Sequence, residues 1–253
     1  MRLAAIALAP GRAEGLVQRW DGPVRLPSRA APPGEGVVLW APVISGEGRD
    51  LDRLGPACAA LIVEARPTRG SSVPPLPCLA GVPGELLVDG DRAAVDGNAG
   101  SLELPAVKEV PVVTSFLERE DGRILLLRRS ERVGSFQGRW AGVSGYLESE
   151  PPLAQALTEI REETGLAAER VELVCQGELL LSRDRERVYV VHPFRFRVQR
   201  PEIRLDWEHT ELRWVAPSEI PTFPTVPRLE ETWRRVAPTP PEPSASPLRG
   251  PKP

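Results

Sequence analysis

A chain of 253 residues is long for one compact domain and comfortable for two, and a content of 41% hydrophobic and 26% charged residues describes a globular, soluble protein. A formal net charge of −3 removes the electrostatic basis for tight non-specific nucleic-acid binding and leaves only local clusters as phosphate sites. Cys58, Cys78 and Cys175 are odd in number and form no C-x-x-C pair, and His192 and His209 are the only histidines, so buried reduced thiols are expected and a zinc site is not.

The first residues, MRLAAIALAPGRAEG, hold an apolar run too short to span a membrane. Leu3–Leu8 reads as a first strand rather than a signal peptide, which gives the expectation of a cytoplasmic protein without a membrane partner. Residues 1–105 are rich in Pro, Gly and Ala, with strand-length apolar runs at Val37–Trp40, Ala60–Val63 and Leu86–Val88. In RAAVDGNAGSLEL, Arg92–Leu104, two short runs flank Asp96, Gly97 and Asn98, which predicts a hairpin turning on positive-φ residues.

Three stretches of this half, ALAPGRAEG, AALIVEARPTRGSS and LLVDGDRAAVDGNAGSLEL, resemble the swivelling phosphohistidine domain of phosphoenolpyruvate-utilising enzymes. That family carries its phosphoryl group on a histidine in a Thr- or Ser-rich loop, whereas Thr68–Ser72 holds none and no histidine precedes His192. Phosphotransfer by that route is therefore excluded, leaving a lid, a partner-binding module or a structural appendage.

Pro105–Pro111 reads as an ordered strap between domains, dividing the chain into a β-rich α/β domain (1–105), a second domain (106–235) and a Pro-rich tail (236–253) expected to be disordered. In the second domain, Val112–Glu118 and Arg123–Arg128 flank Glu120, Asp121 and Gly122 as a hairpin whose second strand ends in Arg128 and Arg129. Arginines there can clamp a phosphate bidentately or simply occupy an exposed edge. The loop GSFQGRW leads into a strand at Trp140, an indole able to stack on a nucleobase or to fill the core.

The stretch Gly142–Leu166, GVSGYLESEPPLAQALTEIREETGL, ends in a helix opened by Pro151 and Pro152 and closed by Gly165. Leu153, Ala156, Leu157 and Ile160 form its apolar stripe. Glu159, Glu162 and Glu163 stand at i, i+3 and i+4 along one adjacent face, where like charges repel unless a cation offsets them. A hard divalent ion such as Mg²⁺ suits oxygen ligands of this kind. Glu148 and Glu150 lie in the loop before the helix, within reach of such ions or of open water.

TEIREETGL resembles the second half of the Nudix box, G-x5-E-x7-R-E-U-x-E-E-x-G-U with U bulky and apolar. Glu150, Glu159, Ile160, Glu162, Glu163, Gly165 and Leu166 match. Thr158 stands where the family has Arg, and the box glycine falls on Ser144, or on Gly145 with one loop residue deleted. The resemblance implies a Nudix-type α/β/α sandwich with a mixed sheet and hydrolysis of a small-molecule diphosphate. It implies Mg²⁺ or Mn²⁺ on Glu159, Glu162 and Glu163, and catalysis by Glu159, Glu163 and Glu208, with Glu159 or Glu208 taking the proton of the attacking water. Arg128, Arg129, Trp140 and Gly145 are the candidate substrate contacts. Loss of the motif Arg leaves a competing reading, a Nudix-fold ligand sensor without turnover, and pairing of two such domains is compatible with the resemblance.

Beyond the helix, Val171–Leu181 and Arg187–Val198 read as β runs joined by the charged turn SRDRE, with His192 expected as a core histidine. DWEHTELRW places Glu208 and His209 in a loop before a strand ending at Trp214, and the family resemblance makes Glu208, then Glu211, the candidate late acid. Thr225–Val236, with Leu229 and Trp233 four apart, reads as a closing helix.

Overall fold

A computed structural model describes residues 1–19, 36–41, 58–64, 76–184, 186–199 and 201–238. The loop Thr68–Ser72 and most of the Pro-rich tail lie outside the described residues. By its internal contacts the chain forms two units, Met1–Pro111 with Leu181–Val190, and Val112–Leu180 with Val191–Pro253. Among the described residues no helix is long and apolar enough to cross a membrane.

The first unit is built on strands β1 (Arg2–Ala4), β2 (Ile6–Ala9), β3 (Arg12–Arg19), β4 (Gly36–Ala41), β5 (Cys58–Val63), β6 (Cys78–Ala80), β7 (Arg92–Asp96) and β8 (Ser101–Glu103). They form one mixed sheet in the order β1-β8-β7-β3-β4-β5-β6-β2, with β3 to β6 parallel. Side chains alternate between two cores: Val38, Trp40, Ala60 and Ile62 line one face, and Leu39, Leu61 and Val63 the other. Burial on both faces is why these runs are apolar throughout. The two outermost strands of the sheet, β1 and β2, are separated in sequence by Ala5 alone, so the sheet must curl until its edges approach. This breaks the single strand expected at Leu3–Leu8, and the Ala5 amide donates instead to the Gly100 carbonyl at 2.7 Å.

The expected hairpin forms between β7 and β8, in the register Val95↔Leu102. Its turn is built differently from expectation. The Asp96 carboxylate accepts the amides of Asn98 and Ala99 at 3.0 and 2.9 Å, and the positive φ falls on Gly100, at 62°. Leu86–Val88 is not a strand, since Gly84–Leu86 closes a 3-10 turn through the Leu87 amide to the Gly84 carbonyl. Residues 181–190, far away in sequence, complete this unit: Val188 enters its core, and Arg183 makes a bidentate pair with Asp91 at 2.7 and 2.8 Å. A linear division of the chain does not contain this return.

The remaining elements are β9 (Lys108–Glu118), β10 (Ile124–Arg129), β11 (Trp140–Ala141), β12 (Val143–Tyr146), α1 (Pro152–Thr164), β13 (Val171–Gln176), β14 (Leu180–Asp184), β15 (Arg187–Val198), β16 (His209–Val215) and α2 (Leu229–Arg234), of which residues 108–111, 181–184 and 187–190 count with the first unit and the rest with the second. The sheet runs β11-β10-β9-β15-β13, with β12 on β9, β14 on β15 and β16 on β10. Alternation divides its apolar residues between two layers. Val113, Leu117, Leu125, Leu127, Phe194 and Phe196 pack with Ala156 and Ile160 of α1. Phe116, Ile124, Leu126 and Val215 pack with Leu229 and Trp233 of α2, where Phe116 and Trp233 meet edge to face at 5.2 Å. This is the α/β/α sandwich expected from the sequence, and truncating a buried anchor such as Ile160 to Ala costs about 2–5 kcal/mol.

Two helix ends and one strand differ from expectation. Arg228 takes a left-handed conformation (φ 58°), so the closing helix is only Leu229–Arg234. Val171–Leu181 splits into β13 and the start of β14, and β14 continues through Ser182–Asp184 into what reads as a turn. Helix α1 begins at Pro152 after an extended Pro151 and ends at Gly165, whose left-handed φ of 72° lets its amide reach the Arg161 carbonyl.

Candidate active site

Helix α1 carries Glu159, Glu162 and Glu163 at its C-terminal end, beside β12 and beneath the turn that precedes β16. The Arg204 amide donates to the Thr164 carbonyl at 2.9 Å, which draws residues 204–209 across the end of α1. Asp206, Glu208 and His209 thereby join the helix acids. The Glu208 backbone is fixed at both ends: its amide donates to Asp206 Oδ1 at 3.1 Å, and its carbonyl accepts the Ser130 amide at 2.7 Å.

Glu163 is the buried member, 2% exposed. Its carboxylate accepts the Ser144 amide, with distances of 3.2 and 3.4 Å to the two oxygens. On another side stands His209 Nε2, 3.7 Å from Glu163 Oε2, while His209 Nδ1 pairs with Asp206 Oδ1 at 3.1 Å. Nε2 is buried without a hydrogen-bond partner, an arrangement that costs about 1–3 kcal/mol when nothing satisfies it. Burial, reinforced by Glu159, Asp206 and Glu208, pushes the Glu163 carboxyl well above its ordinary range against the pull of the Ser144 amide.

Glu159 lies against β12. A Cβ built on Gly145 would stand 2.0 Å from Glu159 Oε1, so any side chain there would push that carboxylate aside. Gln155, one helical turn earlier, donates its amide to Glu159 Oε1 at 2.8 Å and accepts the Ser149 hydroxyl at 3.4 Å. Burial raises the Glu159 carboxyl, as do Glu162, Glu208 and Glu148, while the Gln155 hydrogen bond opposes them. Glu208 is raised by burial, then by Asp206 and Glu162, with the Arg129 guanidinium acting the other way. Glu162 is more open and stands 3.6 Å from Arg161.

The acids expected to act together are thus neighbours, and Asp206 joins them. Thr158, at the motif Arg position, donates its hydroxyl to the Ala154 carbonyl of its own helix at 3.1 Å, and Gln155 is the side chain that steadies Glu159. Of the two arginines, Arg129 lies near Glu208 and anchors on the Ser135 carbonyl at 3.0 Å. Arg128 is exposed and sits 3.5 Å from Glu211. Glu211 is engaged by Arg213 as well, and the two arginines hold its carboxyl below the usual range, Arg213 chiefly. Trp140 is 5% exposed and packs edge to face on Phe223 at 5.4 Å, within the core. Among the described residues the exposed indole is Trp207, next to Glu208, 53% exposed with the Arg132 guanidinium 5.1 Å over its ring. His192 is half-buried on β15, and burial lowers its pKa.

Gln155, Asp206 and the approach of His209 to Glu163 escaped the sequence. A Gln four residues before a motif acid, and an Asp two residues before Glu208, were the available signals.

Among the described residues no three His, Cys, Asp or Glu side chains converge as a preformed metal cage. The donor chemistry nonetheless fits a hard divalent ion: every acid is an oxygen ligand, Glu159 and Glu208 both raise the Glu163 carboxyl, Glu208 raises that of Glu159, and Asp206 and Glu162 raise that of Glu208 against the pull of Arg129.

Solved structures with likeness to the chain include the MutT protein of Methanosarcina mazei Go1, with 23% identity over 51% of this chain and 93% of that one and a TM-score of 0.44. The E. coli ORF135 protein shows 25% identity over 52% and 93%, with a TM-score of 0.40. The NUDIX domain of Shewanella oneidensis NrtR, solved with ADP ribose, shows 19% identity over 50% and 86%, with a TM-score of 0.38. No curated protein matches the chain. The family model described as NUDIX domain matches residues 108–236, slightly more than half of the chain. The chain belongs to the Nudix family.

Proposed function

We propose that the chain hydrolyses a nucleoside diphosphate linked to another group, breaking a phosphoric anhydride bond with water to leave a monophosphate and the remainder. Family membership supports this class of activity. The observation that carries the finer reading is Glu163, a carboxylate buried among Glu159, Glu208 and Asp206, whose charges call for a cation.

Glu159, Glu162 and Glu163 would hold Mg²⁺ or Mn²⁺. Such an ion, when bound, neutralises charge on diphosphate oxygens and lowers the pKa of water. The chain's own residues do the rest. The Ser144 amide and the Gln155 side chain hold Glu163 and Glu159 in place. Glu208, whose carboxyl is raised by burial and then by Asp206, or Glu159, raised by burial, would accept the proton of the attacking water. Arg129 offers a guanidinium to phosphate oxygens beside it. Trp207 is the surface on which a planar organic group stacks, a role that burial denies Trp140.

One observation favours a ligand sensor without turnover: Thr158 replaces the motif Arg and is engaged only with its own helix backbone in the hydrogen bond it makes. A panel of nucleoside diphosphate derivatives with Mg²⁺ and Mn²⁺, read by product mass, separates the two. The hydrolase releases a monophosphate and loses this with Glu163→Gln. Clear binding across the panel without any product supports the sensor.

A further inference from the structure

We infer that Arg132 is a specificity-determining residue: stacked on the Trp207 indole, it leaves that ring suited to an uncharged planar group of the substrate and unfavourable to a positively charged one; this rests on the reading of Trp207 as the stacking surface given above. The guanidinium lies 5.1 Å from the centre of the ring, within the range of a cation–π contact. Trp207 is still 53% exposed with that guanidinium in place, so ring surface remains open to a ligand. The pair is built from the backbone up. The Ser130 amide donates to the Glu208 carbonyl at 2.7 Å, which sets residues 130–132 beside 207 and 208. The Arg132 amide donates to Ser130 Oγ at 3.2 Å, and the Gln137 side-chain amide donates to the carbonyls on either side, Glu131 at 2.9 Å and Val133 at 3.0 Å. Val133 is buried, so the loop is pinned around Arg132 while the arginine side chain stays at the surface.

The face of an aromatic ring is electron-rich and attracts a cation for that reason. In Trp207 one cation already draws on it. A second ring stacks at about 3.5–4 Å, so a positive charge on that ring would stand roughly 9 Å from the guanidinium. Like charges at that separation repel enough to weaken binding about 2- to 20-fold, across effective dielectric constants from about 80 in open water to about 20 beside protein. A neutral ring meets no such penalty and stacks on the indole as any base does. An arginine that only covered the indole would affect neutral and cationic rings alike.

The test measures, by calorimetry on the full chain with Mg²⁺, the binding of the α,β-methylene analogues of GDP and of 7-methyl-GDP, whose P–C–P link water does not cleave. Low salt limits screening, and a pH slightly below neutral keeps the methylated ring positively charged. Both ligands carry the same phosphates, and the acids of the site are the same whatever stands at residue 132, so the ratio of the two Kd values reports the ring. Arg132→Met keeps a long side chain against Trp207 and removes the charge. The Kd of the methylated ligand divided by that of the neutral one should fall about 2- to 20-fold from its wild-type value. Trp207→Ala should weaken both ligands, and in that background Arg132→Met should leave the ratio unchanged. A wild-type ratio in the Arg132→Met single variant would overturn the inference while leaving Trp207 as the stacking surface. Wild-type affinity for both ligands in Trp207→Ala, or no uptake of either by the wild-type protein, would remove the stacking reading and this inference together.

Discussion

The carboxylate of Glu159 lies directly on the Cα of Gly145, so closely that a Cβ at residue 145 would stand 2.0 Å from Oε1 and 2.1 Å from Cδ. Of the two residues on which the box glycine could fall, Gly145 is thus the one whose missing side chain makes room for an acid, while Ser144 supplies a backbone amide to Glu163. Gly145→Ala should displace the Glu159 carboxylate by the better part of an ångström. Misplacement of that size near reacting groups costs about 100-fold in rate. Steady-state kinetics should show kcat reduced by about that factor with a far-ultraviolet dichroism spectrum like the wild type's; an unchanged kcat would contradict the role given to this contact.

Gln155 and Thr158 should behave differently although both lie within one turn of Glu159. Gln155→Leu preserves volume and removes the 2.8 Å hydrogen bond to Oε1, so activity or Mn²⁺ affinity should drop about 10- to 100-fold. Thr158→Val removes an exposed hydroxyl that bonds back to its own helix, and both quantities should stay within about twofold, as for most surface substitutions. Side-by-side kinetics and calorimetry on the two variants check this ordering.

Metal-free stability should carry a pH signature of Glu163. Its carboxyl, lifted well above 4.5 by burial and then by Glu159, binds its proton more tightly folded than unfolded. The protonated form therefore favours folding, and this contribution is lost as pH rises above 4.5 towards the folded value. His209 acts in the opposite sense, because burial lowers its pKa from 6.5, so its contribution makes stability rise with pH up through that value. Comparison with Glu163→Gln isolates the carboxylate. With a chelator present, the thermal midpoint of the variant minus that of the wild type should grow as pH increases, and saturating Mg²⁺ should raise the wild type selectively. A difference that stays flat or shrinks with pH would show that the carboxylate is not held at a raised pKa.

Trp207 gives a prediction on substrate choice. Stacking a base on an aromatic ring is worth about 1–3 kcal/mol, so Trp207→Ala should raise KM for a nucleoside diphosphate derivative about tenfold with kcat little changed. The same substitution should have no effect on a substrate whose linked groups are all aliphatic. Equal effects on both would assign Trp207 a structural role with Arg132.

Much of the second unit was legible because its signals are local. The hairpin turning through Asp121 and Gly122, the prolines opening α1, the glycine closing it and the i, i+3, i+4 acids are each written within a few residues. What was not legible depends on chain segments meeting. Asp206, His209 and Glu163 are brought together by the Arg204 to Thr164 hydrogen bond, which no periodicity announces. In the first unit, Leu3–Leu8 has the composition of one strand, yet sheet order divides it at Ala5. Residues 181–190 return to that unit through Val188 and Arg183, contacts that a linear division cannot contain. Trp140 could be read from sequence as a stacking or a core indole, and burial decides for the core; Trp207, the exposed indole beside Glu208, carried no signal of its own.

The most direct measurement is a Mg²⁺ titration of the full chain followed by side-chain carboxyl ¹³C resonances, with Glu159, Glu162 and Glu163 assigned from their Gln variants. The expected result is that these three resonances move together and saturate, before the exposed acids respond, and that Glu163→Gln abolishes the movement of the other two. Resonances of the three that stay fixed while Mg²⁺ shifts only exposed carboxylates elsewhere would contradict a metal site on α1.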